Sequence, residues 1–510
     1  MNASLQKTPS VLGLHELLRA GADAESDADA AIAMARELLV RSQELQTPQE
    51  RRQQAELDRM IAHPGDKATL VEMTDQAFRT DSPARVADQL THILDVQGIP
   101  RFFSPLEQTM LRGFQTFGGY LPGVAVPLVK DKMRQETANV ILPAEEQPLR
   151  EHLDARQTSG LQMNVNFLGE ALLGEREAER RLQNYLHSLQ IPEIACISVK
   201  LTTIFSQVST LARHQTVDVV ADRMELLYRA AMRERYVDAD GNSTSKFVYL
   251  DMEEYRDLHL TADVFRTTLE REGLARARAG IALQAYVPDS FGVLEDLIEW
   301  SVKRVAAGAL PITVRLVKGA NMEMERVEAS LGGFEQTPYS QKVHTDANFK
   351  RMLRAMIDAA AKGAIQIGVA SHNLFDISLA LLWGERAKLS EDPSRNVLDH
   401  MQFEMLEGMA NHQRRALFEP APKMLLYAPA CRREDFLNAI GYLIRRLDEN
   451  TGEENFLRHS FKLTPDSDDW NKLAQDFRSS LEMMEDVSAK PRRTQDRRQP
   501  AIQPPAAEHW

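Results

Sequence analysis

The chain has 510 residues, of which 43% are hydrophobic, so it is long enough to bury a large core. Its net charge of −13 argues against general nucleic-acid binding, which needs a basic surface. Two cysteines, Cys196 and Cys431, cannot form a disulfide framework and suit a reducing compartment. The start lacks a secretory pattern, and no apolar run reaches the length of a membrane span. We expect a cytoplasmic protein, with peripheral membrane contact left open.

The first third of the chain is predicted to be helical. In DADAAIAMARELLVRSQEL, the residues Ile32, Met34, Ala35, Leu38 and Leu39 recur at helical spacing. We predict a helical arm over residues 1–60 and a helical domain over 61–155, broken by four prolines (Pro83, Pro100, Pro122 and Pro127). This region is expected to serve in interactions rather than in catalysis.

From about residue 160, short apolar runs alternate with amphipathic helical stretches. The predicted strands are Leu161–Phe167, Ile194–Leu201, Phe247–Met252, Ile281–Tyr286, Pro311–Val317, Ile365–Ala370, Asp399–Met405 and Met424–Ala428. Eight β-then-α units favour an α/β fold of the (β/α)8 barrel type over residues 156–465. An open doubly wound sheet is the alternative, but NVNFLGEALLGE is not the Gly-rich turn typical of that fold. Residues 466–510 are predicted to form a C-terminal helix and a disordered tail or linker.

The stretch TVRLVKGANMEMERVE brings two cations to a strand-to-helix turn. A β-branched run leads into Arg315, Lys318 and Gly319, and a helical pattern begins at Asn321. In an α/β barrel, such turns lie on the face where active sites are built. By itself this turn indicates a site for an anion, a phosphate or a flavin.

Polar or aromatic residues mark the ends of most other predicted strands. The candidates are Lys200, Asp251, Gln284, Tyr286, Ser371, His372, Asn373, Glu404, Leu406 and Tyr427. A single residue of this kind is usually a solvated or paired surface group. Their repetition on successive strands favours a functional site at the C-terminal end of the barrel.

A second cationic element, GYLIRRLDEN, follows the eighth predicted strand. Arg445 and Arg446 lie within one helical turn of Glu449, which is compatible with an ordinary surface ion-pair lattice. The functional alternative is a carboxylate clamp, because guanidinium groups match carboxylate geometry. No GxSxG, HExxH or CxxC motif occurs, so neither a Ser-His-Asp triad nor a metal site is predicted.

Nine stretches, in this order, resemble the proline dehydrogenase family. They are NVNFLGEALLGE, ISVKLTTI, VYLDMEEY, LQAYVPDS, VRLVKGAN, ASHNLFD, FEMLEGMA, LLYAPA and YLIRRLDEN, and they cover about residues 160 to 460. The resemblance is greatest to the proline dehydrogenase half of bifunctional proline utilisation A proteins. It implies a barrel that binds FAD and oxidises L-proline to Δ1-pyrroline-5-carboxylate by hydride transfer to flavin N5. Electrons would then pass to a quinone.

The resemblance also implies roles for individual residues. Arg445, Arg446 and Lys200 would bind the proline carboxylate, with Asp251 beside them. Tyr427 and Leu406 would pack on the substrate ring, and Glu170 would pair with Arg445 as a gate. Arg315 would reach the flavin N5 region, and the remaining cofactor residues would be Gln284, Lys318, Gly319, Ala320, Ser371, His372, Asn373, Glu404 and Glu449. Asn321 departs from the aromatic residue that many members of the family have at this position.

The resemblance further implies an aldehyde dehydrogenase domain or partner for the next reaction, so the chain is either part of a longer bifunctional protein or monofunctional. A homo-oligomer is expected, and nucleic acid is not. Two other functions stay open at this point. One is a Schiff-base lyase with Lys200 or Lys318 as nucleophile, which would need a lysine of lowered pKa. The other is a catalytically dead scaffold barrel.

Overall fold

A computed structural model describes residues 13–493 apart from 79, 81, 139, 169–173, 422, 434–438, 440, 443–445, 447–454 and 461. Eleven strands lie in the described residues. They are β1 (Leu142–Pro143), β2 (Gln162–Phe167), β3 (Cys196–Val199), β4 (Arg235–Val237), β5 (Ser243–Ser245), β6 (Phe247–Leu250), β7 (Arg278–Gln284), β8 (Ile312–Val317), β9 (Ile365–Ala370), β10 (Met401–Leu406) and β11 (Met424–Cys431).

Eight of these strands close into a parallel barrel. The order is β2, β3, β6, β7, β8, β9, β10 and β11, and β11 pairs back with β2. Each of the eight coincides with a predicted strand, so the prediction of a (β/α)8 barrel is confirmed. The strands are rich in apolar residues because parallel barrel strands are buried on both faces, as every residue of β3 is.

The described helices are α1 (Leu14–Ala22), α2 (Asp27–Glu44), α3 (Pro48–Ile61), α4 (Pro64–Asp75), α5 (Pro83–Gln97), α6 (Pro105–Phe117), α7 (Pro122–Thr137), α8 (Glu146–Thr158), α9 (Glu175–Ser188), α10 (Leu201–Ile204), α11 (Arg213–Arg233), α12 (Leu258–Leu269), α13 (Ser290–Ala306), α14 (Met322–Gly332), α15 (Lys342–Ala361), α16 (Leu374–Arg386), α17 (Asn411–Leu417), α18 (Phe456–Ser460) and α19 (Asp468–Glu482). Two short 3-10 helices, Tyr255–Asp257 and Val397–His400, complete the set. Among the described residues, no helix is both long enough and apolar enough to cross a membrane.

The helices before the barrel pack in two ways. Helices α1 and α2 join the barrel core by contacting α16, and the Asp27 carboxylate pairs with Arg386 Nη1 at 2.7 Å. Helices α4 to α7 have a hydrophobic cluster of their own. Helices α3 to α7 each begin with a proline, since the first turn needs no amide donor from proline. Pro127 instead lies inside α7, so the predicted break at this residue is wrong.

Two sheet elements were not predicted. Strands β4 and β5 form an antiparallel hairpin between α11 and β6. Strand β1 pairs in parallel with the end of β11, through Leu142 with Ala430 and Pro143 with Cys431. Both are short, and a strand of two or three residues carries too little periodicity to be recognised. Helix α19 packs against α15 on the outside of the barrel.

Candidate functional site

Arg315 lies inside the barrel, where it contacts two carboxylates from alternate strands. Its Nε donates to Glu404 Oε2 at 2.5 Å, and its Nη1 donates to Asp251 Oδ1 at 2.8 Å. The residue is 4% exposed. Burial works to lower the pKa of Arg315, but the carboxylates of Glu404 and Asp251 outweigh burial and raise that pKa. The guanidinium group therefore stays charged in the barrel interior.

Tyr249 on β6 packs against the Arg315 guanidinium group and hydrogen-bonds to Glu404. Its ring centroid lies 3.6 Å from the Arg315 guanidinium carbon, and its hydroxyl donates to Glu404 Oε1 at 2.8 Å. Two glycines leave room for these groups. A Cβ atom at Gly280 would lie 2.3 Å from Tyr249 Cε1, and one at Gly368 would lie 2.3 Å from Glu404 Oε1.

Four residues meet above this layer at the C-terminal end of the barrel. Lys200, directly after β3, pairs through Nζ with Glu253 Oε1 at 2.6 Å. The main-chain carbonyl of Glu253 accepts from Gln284 Nε2 at 3.2 Å and from Asn321 Nδ2 at 2.6 Å. Residues from three successive loops thus hold the Lys200 ammonium group and its partner in place.

Tyr427 on β11 is the aromatic member of the site. Its hydroxyl accepts from Asn166 Nδ2 at 2.5 Å. Burial and the nearby Asp251 raise the pKa of Tyr427 well above its ordinary value, against an opposing effect of Arg446. Arg446 itself donates through Nε to Tyr442 Oη at 3.0 Å.

The turn after β9 combines a helix cap with a partly buried histidine. Asn373 Oδ1 accepts from the amide of Phe375 at 3.0 Å and so caps α16, while the Asn373 amide donates to Ser371 Oγ at 3.0 Å. His372 Nε2 accepts from the amide of Leu406 at 3.1 Å. Burial, helped by Arg446, lowers the pKa of His372 to about 4. The ring is therefore neutral at pH 7.

In a neutral ring whose Nε2 accepts, the proton lies on Nδ1. His372 Nδ1 is buried and has no hydrogen-bond partner among the residues that the structure describes, and the same holds for Arg315 Nη2. Buried donors are nearly always satisfied in folded proteins. These two orphan donors fit a polar ligand at this end of the barrel.

Lys318, just past β8, belongs to a second group of charges outside the barrel wall. We call this group the Lys318 cluster: Lys318, Lys342, Asp346, Lys350 and Asp376. Lys318 Nζ lies 2.5 Å from Asp346 Oδ1 and 2.6 Å from Asp376 Oδ2. Burial works to lower the pKa of Lys318, but the two aspartates outweigh burial and raise that pKa. This direction is opposite to the one that a Schiff-base nucleophile needs.

Gly319 and Ala320 follow Lys318 in the turn, and their small size leaves the main chain open to close approach by other groups. Gly319 has a φ of +132°, and a Cβ atom there would lie 2.5 Å from the Tyr286 ring. Ala320, which follows it, is exposed. A bulkier residue at position 319 would thus be strained and would clash with Tyr286.

The structure brings most of the sequence-predicted site residues to one end of the barrel. Glu170, Arg445 and Glu449 lie outside the described residues. Sequence reasoning missed Tyr249, Glu253, Asn166, Asp346 and Asp376. Three of these residues lie inside stretches that the sequence analysis had already selected: Glu253 in VYLDMEEY, Asn166 in NVNFLGEALLGE and Asp376 in ASHNLFD. A search for further polar residues within the selected stretches could therefore have found them.

A family model described as proline dehydrogenase matches residues 149–459 of the chain. Among curated proteins, the chain is 24% identical over 323 residues to the bifunctional protein PutA of Escherichia coli K12, an alignment that covers 59% of this chain and 22% of that protein. The chain therefore spans about a fifth of the length of this curated relative.

Solved structures give a matching comparison. Proline utilization A from Corynebacterium freiburgense superposes with a TM-score of 0.60 at 34% identity, over 71% of this chain and 34% of that one. Proline utilization A from Bdellovibrio bacteriovorus, inactivated by N-propargylglycine, gives a TM-score of 0.70 at 24% identity, over 89% of this chain and 44% of that one. The second likeness supports the fold alone.

Proposed function

The chain belongs to the proline dehydrogenase family, and from this membership we propose that it oxidises L-proline to Δ1-pyrroline-5-carboxylate with FAD as cofactor. The family match carries the proposal because it spans all eight barrel strands, and with them the charged groups at their C-terminal ends. When bound, FAD would accept the hydride at flavin N5 and pass the electrons to a quinone.

Lys200, Arg445 and Arg446 are the proposed contacts of the substrate carboxylate. The Lys200 side chain is 24% exposed and its Nζ is held by the Glu253 carboxylate, so its charge is both fixed in place and open to a ligand. A fixed cation orients a carboxylate without an ordering cost at the moment of binding. We assign Tyr427 and Leu406 to the substrate ring, Asp251 to the pocket beside it, and Glu170 to a gate with Arg445.

The residues of the site fit FAD. His372 Nδ1 and Arg315 Nη2 have no hydrogen-bond partner in the described part of the chain, and flavin presents acceptor atoms that such donors can satisfy. We propose that Arg315, by its charge, stabilises the electron-rich reduced ring, since fixed charges act strongly in a water-poor site. Gln284, Lys318, Gly319, Ala320, Ser371, Asn373, Glu404 and Glu449 are the other proposed cofactor residues.

The proton on the substrate nitrogen is not assigned to a protein base. Among the described residues, two carboxylates of the site are already engaged by cations, Asp251 by Arg315 and Glu253 by Lys200. We propose that proline reacts from its neutral amine form. A kcat/KM profile without an ionisation near the pKa of the substrate amine would contradict this.

An absorbance spectrum of the purified protein under anaerobic conditions tests the proposal. We expect a flavin band that bleaches when L-proline is added and does not bleach with D-proline. A flavin band that L-proline leaves unchanged would keep the cofactor and reject the substrate. A colourless protein that cannot be reconstituted with FAD would reject the flavoenzyme proposal altogether.

Lys200→Met tests the proposed carboxylate contact. Loss of one charge-assisted contact is expected to raise KM for proline about tenfold or more while the flavin band stays as in the wild type. Lys303→Met is the matched control, because Lys303 is an exposed lysine paired only with Glu299 one helical turn away. An equal KM in the Lys200→Met variant and the wild type would remove Lys200 from the substrate site.

The lyase alternative has less support. Lys318 is paired with two aspartates and its pKa is raised, so Lys200 is the remaining candidate nucleophile. Borohydride trapping with a carbonyl substrate would reveal it. The quinone acceptor, the homo-oligomer, an aldehyde dehydrogenase partner, the cytoplasmic location, peripheral membrane contact and the division into four domains all stay predictions.

A further inference from the structure

The Lys318 cluster continues from the barrel into the outer helices. Asp376 on α16 uses its two carboxylate oxygens for two different lysines. Oδ2 lies 2.6 Å from Lys318 Nζ, and Oδ1 lies 3.1 Å from Lys350 Nζ on α15. Asp346 in turn pairs with Lys318 and Lys342. The position of Lys318 thus depends on a chain of contacts and not on one partner.

The cluster carries more positive than negative charge. It contains three lysines against two aspartates, and the side chains of Lys350 and Asp376 are each 1% exposed. A buried charge is costly unless it is paired. Lys350 is therefore committed to Asp376, whereas Lys318, at 24% exposed, can offer its charge to a ligand. The uncompensated positive charge suits an anion.

The C-terminal helix α19 supplies the far end of this chain of contacts. Lys350 Nζ donates to Ser480 Oγ at 2.8 Å, and it lies 4.7 Å from the centroid of the Phe477 ring. Phe375, the neighbour of Asp376, packs on Phe477 and on Trp470 with ring centroids 5.7 and 4.8 Å apart. The helix thus contacts Lys350 directly, and it packs on Phe375, the residue next to Asp376.

We propose that Asp376, Lys350 and Ser480 are positioning residues that hold the Lys318 ammonium group for the anionic diphosphate of FAD. Helix α19 thereby takes part in cofactor binding through residues placed behind Lys318. The inference rests on the proposed function, since it requires that FAD binds. If the Lys350 charge is removed, Asp376 neutralises Lys318 alone, and Lys318 attracts an anion less strongly.

FAD titration of the apoprotein tests the inference, with flavin fluorescence as the readout. We expect Lys350→Met to raise the FAD Kd about tenfold and Ser480→Ala to raise it about threefold, as for loss of a contact to a charged group. Ser479→Ala is the matched control, because Ser479 is the neighbouring serine on the same helix and is only partly buried. At saturating FAD, KM for proline should be the same in all four proteins.

The KM readout separates positioning from general damage. Wild-type FAD affinity in both Lys350→Met and Ser480→Ala would overturn the inference, and so would a parallel loss of proline and FAD affinity. If Lys350→Met does not fold, the FAD affinity of Ser480→Ala alone decides whether the inference holds. If the wild-type protein binds no FAD, the proposed function itself is rejected. The titration of the wild type alone shows this, so this outcome is distinguishable from failure of the inference.

Discussion

Strand β8 and the turn after it supply two cations with different surroundings. Arg315 points into the barrel and faces two carboxylates, Glu404 and Asp251, so its local charge is more than balanced. Lys318 lies past the strand end, in a cluster where lysines outnumber aspartates. The difference shows that a cation at a strand end is not always available to bind a ligand. What distinguishes the two is the balance of charge around them.

The comparison predicts that the barrel site is the more sensitive of the two to loss of its cation. Breaking a buried pair leaves an uncompensated charge, which is more damaging than the pair is stabilising. After loss of Arg315, Glu404 and Asp251 keep only neutral hydrogen-bond partners in the described part of the chain. After loss of Lys350, Asp376 still has Lys318.

The largest effect is expected for Arg315→Met. We expect the free energy of unfolding to fall by about 3 to 5 kcal/mol, because the buried Glu404 and the partly buried Asp251 lose their shared cation. Urea unfolding at pH 7 measures this, with Arg276→Met as the control at an exposed arginine. A loss below 1 kcal/mol would show that the ion pairs of Arg315 do not stabilise the fold. The predicted difference in sensitivity between the Arg315 and Lys318 sites would then be wrong.

Lys350→Met should destabilise the fold less. We expect a loss of about 2 to 3 kcal/mol, the range for a hydrogen-bonded charged group, since Asp376 retains Lys318. The same urea experiment ranks this variant against Arg315→Met. If Lys350→Met were the more damaging of the two, the charge balance would not explain the difference between the sites.

His372 tests whether the C-terminal end of the barrel tolerates another positive charge. Its folded-state pKa of about 4 lies below the ordinary value of 6.5, so the unfolded chain binds the proton more readily. Stability from the neutral ring is therefore present above pH 6.5 and is lost as the pH falls towards 4. Between pH 7.5 and 4.5 the wild type should lose about 2 kcal/mol more than His372→Gln does. Parallel pH curves for the two proteins would contradict the assignment.

The smallest effect is expected for Ser480→Ala. Loss of its hydrogen bond to Lys350 should lower the free energy of unfolding by about 1 kcal/mol, because Lys350 keeps Asp376. Thermal unfolding measures the change, again against Ser479→Ala. A loss as large as that of Lys350→Met would mean that the serine and the lysine act as one unit.

The barrel could be predicted from the sequence because most of its strands are short segments rich in apolar residues that alternate with long amphipathic helical stretches. The runs before Arg315 and before Ser371 are examples, and both became parallel strands. The partners of Lys318 could not be predicted, because Asp346 and Asp376 come from two later helices whose docking depends on the whole fold. Pro127 does not end α7 although proline in a helix interior removes a main-chain hydrogen bond, so the helix tolerates that loss.

Its position at the end of a strand predicted that Arg315 belongs to the site, but the residue pattern of β8 did not predict that it faces the barrel interior and two carboxylates there. Whether a strand residue faces the interior of a barrel or its outer helices depends on register, and a strand buried on both faces shows no alternation to reveal it. Charge at such a position usually indicates the outside. Here Gly280 and Gly368 provide space for Tyr249 and Glu404, and that complementarity between strands is visible only once they are paired.

The short pairing of β1 with β11 has a consequence for how the chain can be divided. Strand β11 pairs with β10 only as far as Tyr427, and its last residues are covered on that side by Leu142 and Pro143. A shortened chain that began at residue 156 would uncover these main-chain amides and carbonyls. Open strand edges of this kind recruit other strands and promote aggregation. The two residues of β1 thus act as edge protection, and a soluble barrel should begin upstream of Leu142.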